Sequence, residues 1–216
     1  AESFIRDNGG IPGFKGYNGF PYTLCISVNE VVVHGFPSNR EVKEGDIVSV
    51  DCGAVMNGFY GDSAYTFMIG EVDPSVRALV EATKASLYEG IEKAVEGQRL
   101  GDIGAAIQSY VEERGYSVVR DLVGHGLGKH LHEAPEVPNY GRKGTGMKLQ
   151  EGLVLAIEPM INLGGHRVVQ ERDGWTIRTS DRKSSAHFEH DVVIRKGRAE
   201  VLSTFDYIEE ILKTKD

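Results

Sequence analysis

No stretch of the 216-residue sequence comes near the roughly 18 uninterrupted apolar residues that a membrane helix needs. The opening residues, Ala1-Glu2-Ser3-Phe4-Ile5-Arg6, lack the apolar core of a secretory signal. Cysteine is scarce. Cys25 and Cys52 are too few for a disulfide framework and fit a reducing compartment, which makes the cytoplasm the expected location. Basic charge is also short: 24 Lys and Arg stand against 32 Asp and Glu, a net charge of -8 with no long run of either sign. That argues against duplex nucleic acid or an anionic membrane surface as the main partner. Linker-like, low-complexity and short-period repeat segments are missing, so one domain over residues 1–216 is expected. Several common catalytic signatures fail as well. His132-Glu133 does not continue to a second zinc-binding histidine, Gly124–Gly128 lacks the spacing of a dinucleotide loop, and neither a phosphate loop nor a serine elbow is present.

What the chain has in excess is glycine, 27 residues, nearly double the roughly 7% of an average protein. Its 40% hydrophobic and 26% charged content is otherwise ordinary for a globular protein. Residues 1–8 read as the last turns of a helix that ends at Gly9-Gly10. A Gly- and aromatic-rich loop leads to short strands near Cys25–Ser27 and Val31–His34. Ile47–Val55 and Phe59–Met68 flank Asn57-Gly58, the strongest short hairpin signal because both residues tolerate positive φ. Asp73-Pro74 opens a helix whose apolar face, Val76, Leu79, Val80, Thr83, Leu87, Ile91 and Ala94, runs to Gly97. A second helix is expected from about Asp102 to Arg114, stopped by Gly115. Strand candidates follow at Ser117–Arg120, Leu153–Met160, Arg167–Glu171 paired with Trp175–Thr179, and Ala186–Ile194. Strands, two helices and strands again predict an α+β fold with a largely antiparallel sheet.

The hairpin register carries the first chemical clue. A two-residue turn at Asn57-Gly58 sets Asp51 opposite Ala64 and Asp62 opposite Gly53, so the two acids are diagonal neighbours on one face, at most roughly 7–8 Å apart. Among Val48, Val50 and Tyr65 they would repel each other and resist desolvation, unless a cation joins them or the face is simply solvated. Glu158 interrupts the apolar run 153–160, and Glu189 interrupts 186–194. Taken singly, each could be a buried salt bridge to Arg or Lys. His34, His125 and His132 lie beside or near glycines, where a lone histidine is more often structural than a ligand. Taken together, four strand-borne acids and these histidines suit a hard-to-borderline divalent ion better than a thiolate zinc site.

In chain order the segments FKGYNGFP, CISVNEVVVHGFP, DIVSVDCG followed by YGDSAYTF, VGHGLGKHLHEAP, AIEPMI and DGWTIRTSDRKSSAHFEH are similar to those of the type I methionine aminopeptidases. The resemblance runs from about Glu2 to Leu202. It implies the pita-bread fold: a curved, mainly antiparallel sheet covered by helices and built from pseudo-two-fold halves. It also implies two divalent ions (Co, Mn, Fe, Zn or Ni) held by Asp51, Asp62, His125, Glu158 and Glu189. Asp51 would chelate one ion, Asp62 and Glu189 would bridge both, and His125 and Glu158 would complete the other site. The implied reaction removes the initiator methionine from nascent proteins and peptides with a small second residue, by attack of a metal-bridging hydroxide. Glu158 would shuttle the proton, His132 would contact the substrate carbonyl or oxyanion, and His34 the scissile amide nitrogen. Tyr17, Phe20, Cys25 and Trp175 would line the methionine pocket.

Only 30 residues separate Glu158 from Glu189, which leaves no room for the helical insertion of the type II enzymes. Phe14 and Phe20 stand where relatives carry other pocket residues, and the family's N-terminal helical segment before the position of Ala1 is expected to be lacking. Nascent polypeptide N-termini are the implied partners of a monomeric enzyme. Transient ribosome contact follows from the activity alone, since no basic patch supports it. The alternatives are an Xaa-Pro peptidase of the same fold, disfavoured by the lack of a large additional N-terminal domain, and a non-catalytic or truncated binding module.

Overall fold

The computed structural model describes residues 1–214, and in it the Asn57-Gly58 turn forms with φ of 53° and 80°. Met56 pairs with Phe59 and Asp51 with Ala64, the register expected from the turn. The two strands do not run unbroken, however. Ile47–Asp51 and Ser63–Met68 belong to an eight-stranded sheet, whereas Ala54–Met56 and Phe59–Gly61 form a separate three-stranded sheet with Ile11–Pro12. The break falls at Cys52-Gly53 on one side and Asp62 on the other. Gly53 permits it because a Cβ there would collide with the Phe14 ring.

The same device recurs twice. The expected strand 153–160 resolves into Val154–Ile157 and Met160–Asn162, which lie in different sheets, with Glu158 and Pro159 at the joint. A proline without an N–H cannot continue the ladder there. The expected strand 186–194 resolves into Ser185–His187 and Glu189–Val193, again in different sheets. Asp62, Glu158 and Glu189 therefore sit at or beside points where the chain passes from one sheet to another, and Asp51 sits at a strand end.

All pairings within the sheets are antiparallel, and the sequence order α+β is as expected. The large sheet runs Glu133–Val137, Gly124–Gly126, Val154–Ile157, Glu189–Val193, Ser63–Met68, Ile47–Asp51 and Cys25–Val28, with Glu200–Val201 added beside Glu189–Val193. Its first three strands in sequence come from the N-terminal part of the chain and the rest from the C-terminal part. The two sets meet where Glu189 pairs with Ala64 and His190 with Ser63, which brings Asp62 beside Glu189.

Among the described residues four α-helices complete the fold: α1 (Glu2–Asp7), α2 (Pro74–Ile91), α3 (Leu100–Glu112) and α4 (Asp206–Lys213). Asp73 caps α2 by accepting the Ser75 N–H at 2.8 Å. Leu79, Leu87, Ile103 and Ile107 are fully buried and pack in one core with Leu155 and Ile157 of the large sheet and with Phe188 and Ile194, which flank the strand Glu189–Val193. Gly90 allows the close α2–α3 approach, since a Cβ there would sit 2.8 Å from Ile107. No described helix is long and apolar enough to cross a membrane.

Several boundaries differ from the sequence reading. Helix α2 stops at Ile91 rather than near Gly97, although Ala94 stays buried in the following turn. Helix α3 begins at Leu100, because Asp102 acts from inside the first turn, accepting the Arg99 N–H at 2.8 Å. The strands proposed around 117–120, 167–171 and 175–179 shorten to Ser117–Val118, Val168–Gln170 and Ile177–Thr179. Helix α4 was not anticipated.

Gly124 shows how tightly the sheet is spaced around the acids. A Cβ at this position would collide with the Ala156 carbonyl and lie 3.3 Å from Glu158 Cγ. Gly124→Ala is expected to lose about 1–3 kcal/mol to overpacking, read in a thermal melt as roughly 2–4 °C per kcal/mol. A wild-type melting temperature would mean the strands can spread without penalty.

Candidate metal centre and adjoining pocket

The strand joints aim four carboxylates at one point. Asp62, His125 and Glu189 are each at most 8% exposed, and one donor atom from each lies within 4.8 Å of the others. Glu158, its side chain 14% exposed, places Oε1 3.6 Å from His125 Nε2. Asp51 completes the group with a buried Oδ1 that has no hydrogen-bond partner.

Among the described residues no Lys or Arg pairs with these carboxyl groups, and their pKa values register it. Burial, reinforced by the charge of Glu158, pushes Asp51 up to about 8. Burial and the charge of neighbouring acids likewise hold Asp62, Glu158 and Glu189 well above the usual carboxylate range. Such a cluster is unfavourable when ionised and becomes favourable around bound dications.

The histidine among them is set up as a neutral donor. His125 Nδ1 lies 3.0 Å from the Gly126 carbonyl, to which it can only donate, leaving the Nε2 lone pair facing Glu158. Burial lowers its pKa to about 4, which keeps the imidazole unprotonated at neutral pH. Four carboxylates and one neutral imidazole, with an orphaned carboxylate oxygen, fit one or two divalent ions.

His132 and His34 stand beside this cluster. The His132 ring centroid is 4.3 Å from that of His125, and its Nδ1 is 2.7 Å from the Tyr17 hydroxyl. If that hydroxyl donates, the remaining nitrogen carries the proton and points its N–H elsewhere. His34 ends the Val31–Val33 strand in the left-handed region at φ 57°, an unusual conformation for a residue with a side chain. The next residue, Gly35, lies against the Ile26 backbone, where any Cβ would strike the Ile26 carbonyl, and it accepts the Ile26 N–H at 2.8 Å. The His34 ring meets the edge of Trp175 at 6.3 Å, and burial lowers its pKa to about 4.

All the residues singled out from the sequence line one cavity of about 170 Å³. Its apolar end is formed by Phe14, Phe20, Cys25 and Leu131, with Tyr17 and Trp175 partly buried against them. Phe20 and Trp175 pack edge to face at 5.1 Å. Cys25 and Cys52 are free thiols, and burial raises the Cys52 thiol to about 11.

Three contributors escaped the sequence reading. Leu131 lies inside the Gly/His segment that was flagged for its histidines alone. His187 is 2% exposed, and its Nε2 has no hydrogen-bond partner while lying 3.8 Å from Glu158 Oε2. Asp191 is 3% exposed and burial raises it to about 7. The signal for both was available, since each is a polar residue in the same apolar run that drew attention to Glu189.

The model of metallopeptidase family M24 matches residues 1–196 of the chain. A methionine aminopeptidase of Clostridium perfringens is 54% identical over 203 residues, covering 94% of this chain and 82% of the relative. The crystal structure of methionine aminopeptidase from Thermotoga maritima superposes with a TM-score of 0.91 at 50% identity, covering 93% of this chain and 81% of that one. A prolidase from Pyrococcus horikoshii shares the fold at 21% identity, with a TM-score of 0.67 over 85% of this chain and 48% of that one.

Proposed function

The chain belongs to metallopeptidase family M24, and from this we propose that it is a metal-dependent aminopeptidase that removes the N-terminal methionine from peptides and nascent proteins. The observation that carries the reading is the convergence of four carboxylates and a neutral histidine at the polar end of an apolar, aromatic-walled cavity. A methionine side chain is flexible and polarisable, and suits a pocket of Phe14, Phe20, Cys25, Leu131 and Trp175.

In this reading Asp51, Asp62, His125, Glu158 and Glu189 hold two divalent ions. When bound, such ions polarise the scissile carbonyl and lower the pKa of a water molecule. The remaining chemistry belongs to the chain. Glu158, with one oxygen near His125 and the other near His187, takes the proton of the attacking water and delivers it to the leaving amine. His132 donates from Nε2 to the substrate carbonyl oxygen as negative charge develops, its tautomer set by the Tyr17 hydroxyl. His34 contacts the scissile amide nitrogen from its fixed backbone position. The cavity of about 170 Å³ takes the first side chain, and a small second residue is the expected preference.

The test compares two peptides after treatment with a chelator. Activity on Met-Ala-Ser is expected to vanish and to return with Mn(II) or Co(II), while Ala-Pro is cleaved slowly or not at all. Preference for Ala-Pro would move the protein to the Xaa-Pro peptidases of the same fold. Metal-replete protein that cleaves neither would leave a binding module.

A further inference from the structure

Asp191 is a buried acid that none of these roles uses. The pairings Glu189 with Ala64 and His190 with Ser63 would next bring Asp191 opposite Asp62. The backbone ladder stops short of that step, and the side chain takes its place: Asp191 Oδ2 accepts the Asp62 N–H at 2.7 Å. The acid is itself held firmly. Its own N–H donates to Ser203 Oγ at 3.0 Å, and its carbonyl accepts the Leu202 N–H at 2.8 Å. The second oxygen, Oδ1, is buried with no hydrogen-bond partner.

A hydrogen-bond acceptor for one amide does not require a charged group. A typical hydrogen bond contributes little to stability, whereas burying an uncompensated carboxylate carries a much larger desolvation penalty. Serine or asparagine would accept the same N–H without that penalty. What a carboxylate adds is charge, and the hydrogen bond to the Asp62 N–H places it directly beside the cluster. The position of Asp191 is also the point of greatest leverage on Asp62, because the Asp62 amide lies in the gap between the strands Phe59–Gly61 and Ser63–Met68.

We propose that Asp191 is a positioning residue for the metal centre, fixing Asp62 through its backbone N–H and adding a fifth negative charge that tightens the hold of the four carboxylates on divalent ions. This rests on the reading of those carboxylates as metal donors. Four carboxylates balance two dications, so the fifth leaves an excess of negative charge around the site. The residue itself need not touch an ion.

The experiment is a calorimetric titration of chelator-stripped protein with Mn(II) and with Co(II), together with the visible absorption spectrum of the Co(II) form. Asp191→Ala is expected to weaken binding about 10–100-fold, as loss of a partner behind a metal ligand does, and to alter the Co(II) spectrum because Asp62 moves. Asp191→Asn keeps an acceptor for the amide and loses the charge. It is expected to bind more weakly than wild type but more tightly than Asp191→Ala, with a metal-free melting temperature no lower than wild type. A merely structural role would show the reverse: a lower metal-free melting temperature with affinity and spectrum unchanged. That pattern in a folded Asp191→Ala overturns the proposal, and if this variant does not fold, wild-type affinity in Asp191→Asn overturns it. Wild-type protein that binds neither ion would instead overturn the metal-centre reading beneath it.

Discussion

Replacing Asp62 by Asn is expected to abolish cleavage of a methionyl peptide and, at the same time, to raise the melting temperature of the metal-free protein. Both effects come from one cause. Asp62 is 5% exposed, and burial together with the charges of Asp51 and Asp191 makes its ionised form unfavourable. Asparagine cannot ionise, so it avoids the cost of keeping a buried carboxyl group either charged or protonated, and its side-chain oxygen can still accept the Ser63 N–H, which Asp62 Oδ1 accepts at 2.9 Å. The metal-free fold therefore loses that cost and keeps a hydrogen bond. Activity goes the other way, because the donor set loses a member shared with Glu189 and His125. Metal-dependent stabilisation of the transition state is of the order of several kcal/mol, so the loss is expected to reach ~10³-fold or more at 1.36 kcal/mol per factor of ten. An acid kept for a structural salt bridge would give the opposite pair of results. Asp62→Asn protein that is less stable without metal, and within tenfold of wild-type activity, would remove Asp62 from the centre.

The site was legible in the sequence to the extent that it depended on local rules. Asn57-Gly58 fixes the hairpin register by backbone conformation alone, so the pairing of Asp51 with Ala64 followed from the turn. Glu158 and Glu189 were conspicuous because charged residues in apolar runs require a reason. The sheet changes at Glu158-Pro159 and Phe188 were not legible. An apolar run looks the same whether it continues in one sheet or crosses to another, and only long-range pairing of Met160–Asn162 with Ser185–His187 separates the cases. Asp191 stands in the same apolar run as Glu189, but its role was not legible for a related reason: its partner is the amide of Asp62, 129 residues away, and no local pattern announces such a bond. The start of α3 depended on whether Asp102 caps the helix from outside or from its first turn, and both choices leave the same apolar face.

The metal-free protein should lose stability as the pH rises from 6.5 to 8, whereas the metal-loaded protein should change little over that range. Two sets of buried groups oppose each other. The carboxyl groups have folded pKa values above their ordinary ones, about 8 for Asp51 and about 7 for Asp191, with Asp62, Glu158 and Glu189 also raised. In the folded state they retain protons that the unfolded chain has released, so their contribution is largest at low pH and is lost as the pH rises through the folded values. Buried histidines do the reverse. His34, His125 and His190 titrate at about 4 and His187 at about 3, all below the ordinary value of 6.5. The unfolded chain takes up protons on them below pH 6.5, which removes stability as the pH falls. Above 6.5 the histidines are neutral in both states and the carboxyl groups alone set the slope. A group that keeps its proton across that whole window, as Asp51 at about 8 does, removes about 2 kcal/mol over 1.5 pH units, or roughly 4–8 °C in melting temperature for a chain of this size. Bound Mn(II) or Co(II) keeps the ligands ionised and adds its own binding energy to the folded state, so the two curves should diverge toward pH 8. Thermal melts in chelator and in excess Mn(II) between pH 6 and 8.5 decide the matter. A chelated protein that grows more stable across this interval would show that its buried carboxylates already have partners in the fold, and they would then have no need of a metal.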